Sequence, residues 1–226
     1  MTDTEIIEET IAFVKETLTD AEGGHDWFHI QRVFQNAILI AKEEKVDLPI
    51  VSLGALLHDI ADAKFHDGDE TMGPKLAEDF LNSLKVRKQT IAHVVKIIEN
   101  ISFKNSLEKK PGRKFNSKEF QVVQDADRLD AIGAIGIARA FNYGGFKNRK
   151  LYDPDIPPLP GLSKEAYKKS TAPTLNHFYE KLLLLKDMMH TDTGKRLAQE
   201  RHRFMLDYLE QFYREWHPLG PKQVES

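Results

Sequence analysis

Apolar residues recur at three- and four-residue intervals through almost every ordered stretch of this chain. Near the N-terminus, Ile7, Ile11, Val14 and Leu18 follow one another at this spacing. Because an α-helix makes one turn in about 3.6 residues, such side chains share one face and can be buried together. No segment shows a convincing alternation of apolar and polar residues. The sequence therefore predicts an all-α fold.

Residues that favour helix starts support this prediction. Asp26 can cap a helix that carries Phe28, Val33 and Ala37. Pro49 suits the first turn of a helix containing VSLGALLHDIA. Further helices are expected around KLAEDFLNSL, over 88–101 and within 120–141, and the tail 172–216 reads as two long amphipathic helices that separate near Thr191.

Two segments interrupt the helical pattern without separating two hydrophobic cores. Segment 104–118 is basic and poor in apolar residues, and segment 143–170 is rich in glycine and proline. We therefore expect a single domain over 1–226, with a core of about 20–142, a loop over 143–170 and C-terminal helices over 171–216. The tail helices offer a surface for a homodimer.

Composition excludes several classes of protein. The chain of 226 residues is 41% hydrophobic and 30% charged, as expected for a globular protein. Its net charge of -3 gives no overall field that would recruit nucleic acid or an anionic membrane. The absence of cysteine excludes disulfides, thiolate catalysis and thiolate zinc sites. The chain also lacks a signal-peptide pattern and a long apolar run, so we expect a cytoplasmic protein without membrane spans.

An adjacent imidazole and carboxylate, His58 and Asp59, lie in the apolar sequence LLHDIADAKF. Two polar side chains in such a setting are costly to bury without partners. Candidate partners are His29 in DWFHIQRV and Asp127 in QDADRLDAIGAIG. Neutral imidazoles together with carboxylates suit a divalent metal, which can activate water when coordination positions stay open. This set predicts a metal-dependent hydrolase.

The sequences HDWFHIQRV, LLHDIAD and QDADRLDAIGAIGIARAF resemble those of the HD-domain metal-dependent phosphohydrolases. Within that family, the chain is most similar to the small bacterial group that includes nucleotide pyrophosphatases. The resemblance spans roughly 24–141 and extends to HFYEKLLLLK in the tail. It implies a helical fold, cytoplasmic residence, a phosphoester or phosphoanhydride substrate, and one divalent cation bound by His29, His58, Asp59 and Asp127. Mn²⁺ or Mg²⁺ is expected, with Fe²⁺, Co²⁺ or Ni²⁺ as alternatives.

Further residues are candidates for catalysis. Asp62 lies three residues after Asp59 on the same helix face and is the candidate for orienting or deprotonating water. Arg32 lies one helical turn after His29 and offers a fork for a phosphate, or else an ion pair with Asp127 or Asp130. His93 is the candidate for protonating the leaving group. The candidate cations for a polyphosphate are Lys64, Lys104, Lys147 and Lys181.

The leading functional hypothesis is hydrolysis of nucleoside triphosphates to a monophosphate and pyrophosphate. Hydrolysis of nucleoside monophosphates or cyclic nucleotides is the alternative within the enzyme class. A nucleotide-binding regulator that keeps the pocket without turnover is a second class. A nucleic-acid binder acting through KKPGRK is disfavoured, because this short basic run lies in an acidic chain without interleaved aromatic residues.

Overall fold

The computed structural model describes residues 1–19, 26–61, 69, 71–102, 115–159, 161, 166 and 170–220. Within these residues the regular structure is helical, with no strand, which confirms the predicted all-α fold. The elements are α1 (Asp3–Thr17), α2 (Trp27–Ala41), α3 (Leu48–Leu57), α4 (Met72–Ser83), α5 (Lys88–Asn100), α6 (Lys118–Asp130), α7 (Gly133–Phe146), α8 (Asn176–Glu180), a 3₁₀ helix (Leu182–Met188) and α9 (Asp192–Trp216).

Side-chain caps define where several helices begin. The side chains of Thr2, Asp26, Asp47, Ser117 and Thr191 each accept a hydrogen bond from a backbone N–H in the first turn that follows. These bonds satisfy amide groups that have no partner inside the helix. The predicted cap at Asp26 is therefore present, and it fixes the start of the helix that carries His29.

Helix α3 lies at the centre of the fold. Each of its residues from Ile50 to Leu57 is buried, which explains why this segment is apolar on every side. It packs against α1, α2, α5 and α6, and α2 and α6 also pack against each other. The C-terminal end of α3, the beginning of α2 and the last turns of α6 thus belong to one packed group.

The tail differs from the predicted pair of long helices. One short helix (α8) and a 3₁₀ helix precede a single long helix, α9, of 25 residues. The backbone of Lys181, at φ -144° and ψ -59°, ends α8 after 5 residues. Thr191 accepts a hydrogen bond from the N–H of Gly194, so the predicted break is the capped start of α9.

The segment predicted as a loop over 143–170 begins later than expected, because α7 continues to Phe146. Its described part is fastened to the following segment by hydrogen bonds. The N–H of Thr174 donates to the carbonyl of Lys150, and the amide of Asn176 donates to the carbonyl of Ile156. Among the residues described above, none of the helices is long and apolar enough to span a membrane.

Candidate metal site

His29 is held in the first turn of α2. Its backbone N–H donates to the side chain of Asp26, 3.0 Å away, and its side chain is 1% exposed. The two ring nitrogens face different partners. Nδ1 lies 2.8 Å from Oδ2 of Asp130, whereas Nε2 lies 3.7 Å from Oδ1 of Asp127 and 3.8 Å from Oδ2 of Asp59.

His58 and Asp59 follow directly after α3, which ends at Leu57. The expectation that this pair lies within a continuing helix is therefore wrong. His58 keeps a helical backbone conformation as the residue that ends the helix, and the next three residues form a turn. Its Nδ1 lies 2.8 Å from the carbonyl oxygen of Ala55, one of the last carbonyls of α3. This bond directs Nε2 of the buried ring toward α6.

Three separate segments converge at this point. Oδ1 of Asp127, on α6, lies 3.7 Å from Nε2 of His29 and 3.7 Å from Nε2 of His58. His29, His58 and Asp59 each offer a ligand atom, and those atoms lie within 4.8 Å of one another. The structure thus brings together all four side chains that the sequence singled out as metal ligands.

The donor set fits a divalent cation. Nε2 of His58 is a buried nitrogen with no hydrogen-bond partner in the described part of the chain, and Asp127 is too distant to provide one. A buried nitrogen without a partner is costly, and a bound cation would supply the partner. Two imidazole nitrogens and two carboxylates offer one ion a mixed nitrogen and oxygen environment.

The charges at this site alter the protonation of its members when no cation is present. Burial would lower the pKa of His58, but the carboxylates of Asp127 and Asp59 outweigh burial and raise this pKa to about 9. Burial would raise the pKa of Asp127, but His58 and His29 outweigh it and lower this pKa well below the usual range. Burial lowers the pKa of His29, which favours the neutral ring that metal binding requires.

Arg32 pairs with Asp130, which is the alternative that the sequence left open beside a phosphate clamp. Its Nε lies 2.6 Å from Oδ1 and its Nη2 lies 3.0 Å from Oδ2 of Asp130. Arg139, on α7, also contacts this carboxylate, with Nη1 at 2.7 Å from Oδ2. Sequence reasoning overlooked Arg139, because no helical spacing connects α7 with α2.

The structure does not bring His93 to the ligand cluster. Its Nε2 lies 2.8 Å from the hydroxyl of Ser117, the cap of α6, and 3.6 Å from Oε2 of Glu119. Asp127 lies ten positions after Ser117, a rise of about 15 Å along the axis of α6. His93 therefore contacts residues at the other end of α6, and its role as an acid for the leaving group remains a prediction.

The candidate substrate-binding lysines have different outcomes. Lys64, Lys104 and the candidate base Asp62 lie outside the described residues. Lys147 ends α7 and lies about 20 Å along that helix from its start, with Nζ 4.8 Å from the ring of Phe146. Lys147 thus lies at the other end of α7 from Asp130, and its role in binding the substrate remains a prediction. Lys181 lies between α8 and the 3₁₀ helix and remains a prediction.

A second buried carboxylate on α6, Asp125, connects the tail to this helix. It accepts hydrogen bonds from the backbone N–H of His190, the N–H of Thr191 and the Thr191 hydroxyl, at 2.8–3.0 Å. The side chain of His190 lies 2.8 Å from Oε1 of Gln124. The sequence showed no function for His190, and its contacts indicate a role in docking α9 against α6.

Comparisons with known proteins identify the family of the chain. The HD domain family model matches residues 27–132, which include all four candidate ligands. YpgQ of Bacillus subtilis is 43% identical over 208 residues, covering 90% of each chain. A crystal structure of YpgQ in complex with ADP has a TM-score of 0.71 and 38% identity, covering 95% of this chain and 97% of that chain.

Two further solved structures cover 96% of this chain and 99% of their own. A Lactobacillus plantarum protein has a TM-score of 0.82 and 38% identity. An HD-superfamily hydrolase from Bacillus thuringiensis has a TM-score of 0.74 and 45% identity. The chain therefore belongs to the HD-domain family and is an HD-superfamily hydrolase.

Proposed function

We propose that this protein is a metal-dependent phosphohydrolase that converts nucleoside triphosphates to monophosphates and pyrophosphate. The observation that carries the proposal is the convergence of two Nε2 atoms, from His29 and His58, on Oδ1 of Asp127. Asp59 adds a second carboxylate beside them. We propose these four residues as the ligands of one divalent ion, with Mn²⁺ or Mg²⁺ as the preferred species.

A divalent cation in such a site supplies Lewis acidity, which polarises a phosphate oxygen and lowers the pKa of water. The protein supplies the orientation of the donors. His29 and His58 both use Nδ1 in hydrogen bonds within the protein, and Nε2 of each ring faces Asp127 at the proposed ion position. Asp59 and Asp127 offset the charge of the ion, and we keep Asp62 as the proposed residue for orienting or deprotonating water.

A nucleotide substrate is supported by the likeness to YpgQ, which has been crystallised in complex with ADP. A ligand with several phosphates is also compatible with a site centred on a divalent cation, because the cation offsets the charge of the phosphates. We place cleavage between the α- and β-phosphates, which releases pyrophosphate in one step.

The test is phosphorus NMR of the products from a panel of nucleoside triphosphates, monophosphates and cyclic nucleotides. The protein is first treated with a chelator and then supplied separately with Mn²⁺, Mg²⁺, Fe²⁺, Co²⁺ or Ni²⁺. We expect equal amounts of nucleoside monophosphate and pyrophosphate from triphosphates. The activity should disappear in Asp127→Asn and persist in Asp187→Asn, a matched change at a surface carboxylate.

Other outcomes separate the alternatives. If the protein instead releases orthophosphate from a nucleoside monophosphate or opens the ring of a cyclic nucleotide, it is a phosphohydrolase of another kind and not a pyrophosphatase. Tight metal-dependent binding of a nucleotide without any product would favour a regulator. Failure to bind a divalent ion at the four-residue site would overturn the metal-dependent mechanism itself.

A further inference from the structure

Asp130 is a buried carboxylate next to the metal site. It is 1% exposed and accepts hydrogen bonds from three side chains. Oδ2 lies 2.8 Å from Nδ1 of His29, 3.0 Å from Nη2 of Arg32 and 2.7 Å from Nη1 of Arg139. Oδ1 lies 2.6 Å from Nε of Arg32. Asp130 is not one of the four proposed ligands, so its hydrogen bonds with the three side chains need a separate explanation.

The bond to His29 has a direct consequence for metal binding. A neutral imidazole carries its proton on one nitrogen and a lone pair on the other, and the partner of one nitrogen decides which is which. Because an ionised carboxylate only accepts hydrogen bonds, Asp130 requires the proton of His29 on Nδ1. The lone pair is then on Nε2, the nitrogen that faces Asp127 and Asp59.

The two histidines of the site are held by different groups. Nδ1 of His58 has a backbone partner, the carbonyl of Ala55, at 2.8 Å. No side-chain substitution removes that acceptor. Nδ1 of His29 has a side-chain partner, Asp130, at the same distance of 2.8 Å. A substitution at Asp130 therefore removes the Nδ1 partner of His29 and leaves that of His58 in place, so His58 serves as a control within the same site.

The arginines explain how the carboxylate keeps its orientation. Arg32 binds both oxygens of Asp130 through two nitrogens, which fixes the plane of the carboxylate. Arg139 binds Oδ2 from the opposite helix, α7, and also lies 3.3 Å from the carbonyl oxygen of Asp130. With these donors in place, the carboxylate offers His29 one defined direction for a hydrogen bond.

We propose that Asp130 is a positioning residue that holds His29 in the Nδ1–H tautomer and aims its Nε2 at the metal, with Arg32 and Arg139 fixing Asp130 in turn. This inference rests on the proposed metal site. It makes a prediction for the metal-free protein as well, so it can fail while the hydrolase proposal stands. Supporting partners of metal-binding histidines typically contribute about 10–100-fold to metal affinity.

The first experiment uses nitrogen-15 NMR of the full-length, metal-free protein with labelled histidine at pH 8. We expect His29 to show its proton on Nδ1 in the wild type. In Asp130→Asn, the amide cannot accept from all three side chains at once, so His29 should show a mixture of tautomers or the Nε2–H form. A wild-type His29 with its proton on Nε2 would overturn the proposal without any variant.

The second experiment measures Mn²⁺ affinity by calorimetry. Asp130→Asn should lose about 10–100-fold. The matched control is Asp125→Asn, the same change at another buried carboxylate of α6, whose partners lie in the 190–191 segment rather than on His29. The control should lose stability but keep both the tautomer and the affinity. Equal affinity losses in the two variants, or an unchanged tautomer in Asp130→Asn, would overturn the positioning role.

Discussion

At the scale of single residues, the site depends on which nitrogen of each imidazole is left available. His29 and His58 are both buried, and both use Nδ1 for a bond within the protein. Their Nε2 atoms consequently converge on Asp127. This arrangement directs both Nε2 atoms at one point before an ion arrives, and near neutral pH His58 must still release a proton when the ion binds.

Removing one imidazole should abolish most of the metal affinity. We expect His58→Ala to weaken Mn²⁺ binding by more than about 100-fold, because loss of a direct ligand exceeds the 10–100-fold that supporting partners contribute. Titration followed by electron paramagnetic resonance of free Mn²⁺ measures this directly. His217→Ala, at the residue that ends α9, is the control and should bind normally. Wild-type affinity in His58→Ala would show that the ion binds elsewhere.

Metal affinity should also rise with pH. The pKa of His58 is about 9 without metal, so the ring must release a proton when an ion binds near neutral pH. We expect roughly a tenfold gain in affinity per pH unit between about 7 and 9, with proton release measured by calorimetry in buffers of different ionisation enthalpy. The gain should level off above pH 9. An affinity that does not change over this interval would show that His58 is not protonated in the metal-free protein at neutral pH, contrary to its raised pKa.

The raised pKa of His58 has the opposite effect on the stability of the metal-free protein, which should decrease as the pH rises. The pKa of His58 is raised above the value of about 6.5 expected in an unfolded chain. The protonated ring therefore stabilises the metal-free fold fully below about pH 6.5, and this contribution disappears as pH rises through about 9. Without metal, the contribution of His58 to the free energy of unfolding should therefore decrease as the pH rises from about 6.5 to about 9.

At the scale of elements, α6 organises the site by presenting different side chains to different neighbours. Asp127 faces the histidines, Asp130 holds His29, and Asp125 receives the start of α9. Arg201 of α9 donates a hydrogen bond to the carbonyl of Leu129, at the end of the same helix. The last turns of α6 are therefore held by contacts with α2 on one side and with α9 on the other.

The connection from α6 to α7 should not tolerate a side chain at Gly136. A Cβ there would lie 2.2 Å from the carbonyl oxygen of Ala131, in the turn that follows Asp130. We expect Gly136→Ala to lower the free energy of unfolding by about 1–3 kcal/mol, measured by urea denaturation. Gly145→Ala, in the same helix with nothing within 4 Å, should be neutral or stabilising by up to about 1 kcal/mol. Similar losses in both variants would contradict this reason.

At the scale of the whole molecule, the metal site joins segments that lie far apart in the sequence. Its residues come from the start of α2, the end of α3 and the last turns of α6, which pack together around the buried α3. An ion that binds these residues only when they are assembled must favour the folded state. Metal binding and global stability should therefore be linked.

A divalent ion should raise the unfolding temperature in a concentration-dependent way. At a free concentration about 100 times its dissociation constant, an ion that binds only the folded state adds about 2.7 kcal/mol. Calorimetric scans with and without Mn²⁺ measure the effect, and His58→Ala should lose it. A metal-induced increase of the same size in His58→Ala would assign the stabilisation to another site.

The sequence by itself determined the helical class and the identity of the candidate ligands. Apolar spacing of three and four residues is a local property that a helix must match, and Asp26 caps its helix through a neighbour only three residues away. His29, His58, Asp59 and Asp127 stood out as polar residues in apolar surroundings that require partners, and the resemblance to the HD-domain family implied that these four are the ligands.

Only the tertiary structure decided how those residues are supported. Asp130 meets His29, Arg32 and Arg139 across three helices, and no periodicity within one helix reveals such contacts. The end of α3 before His58 was also hidden, because GALLHDIA reads as helical throughout, while His58 turns back to the carbonyl of Ala55. Local patterns specify the elements, whereas packing between distant segments sets the direction of each donor atom.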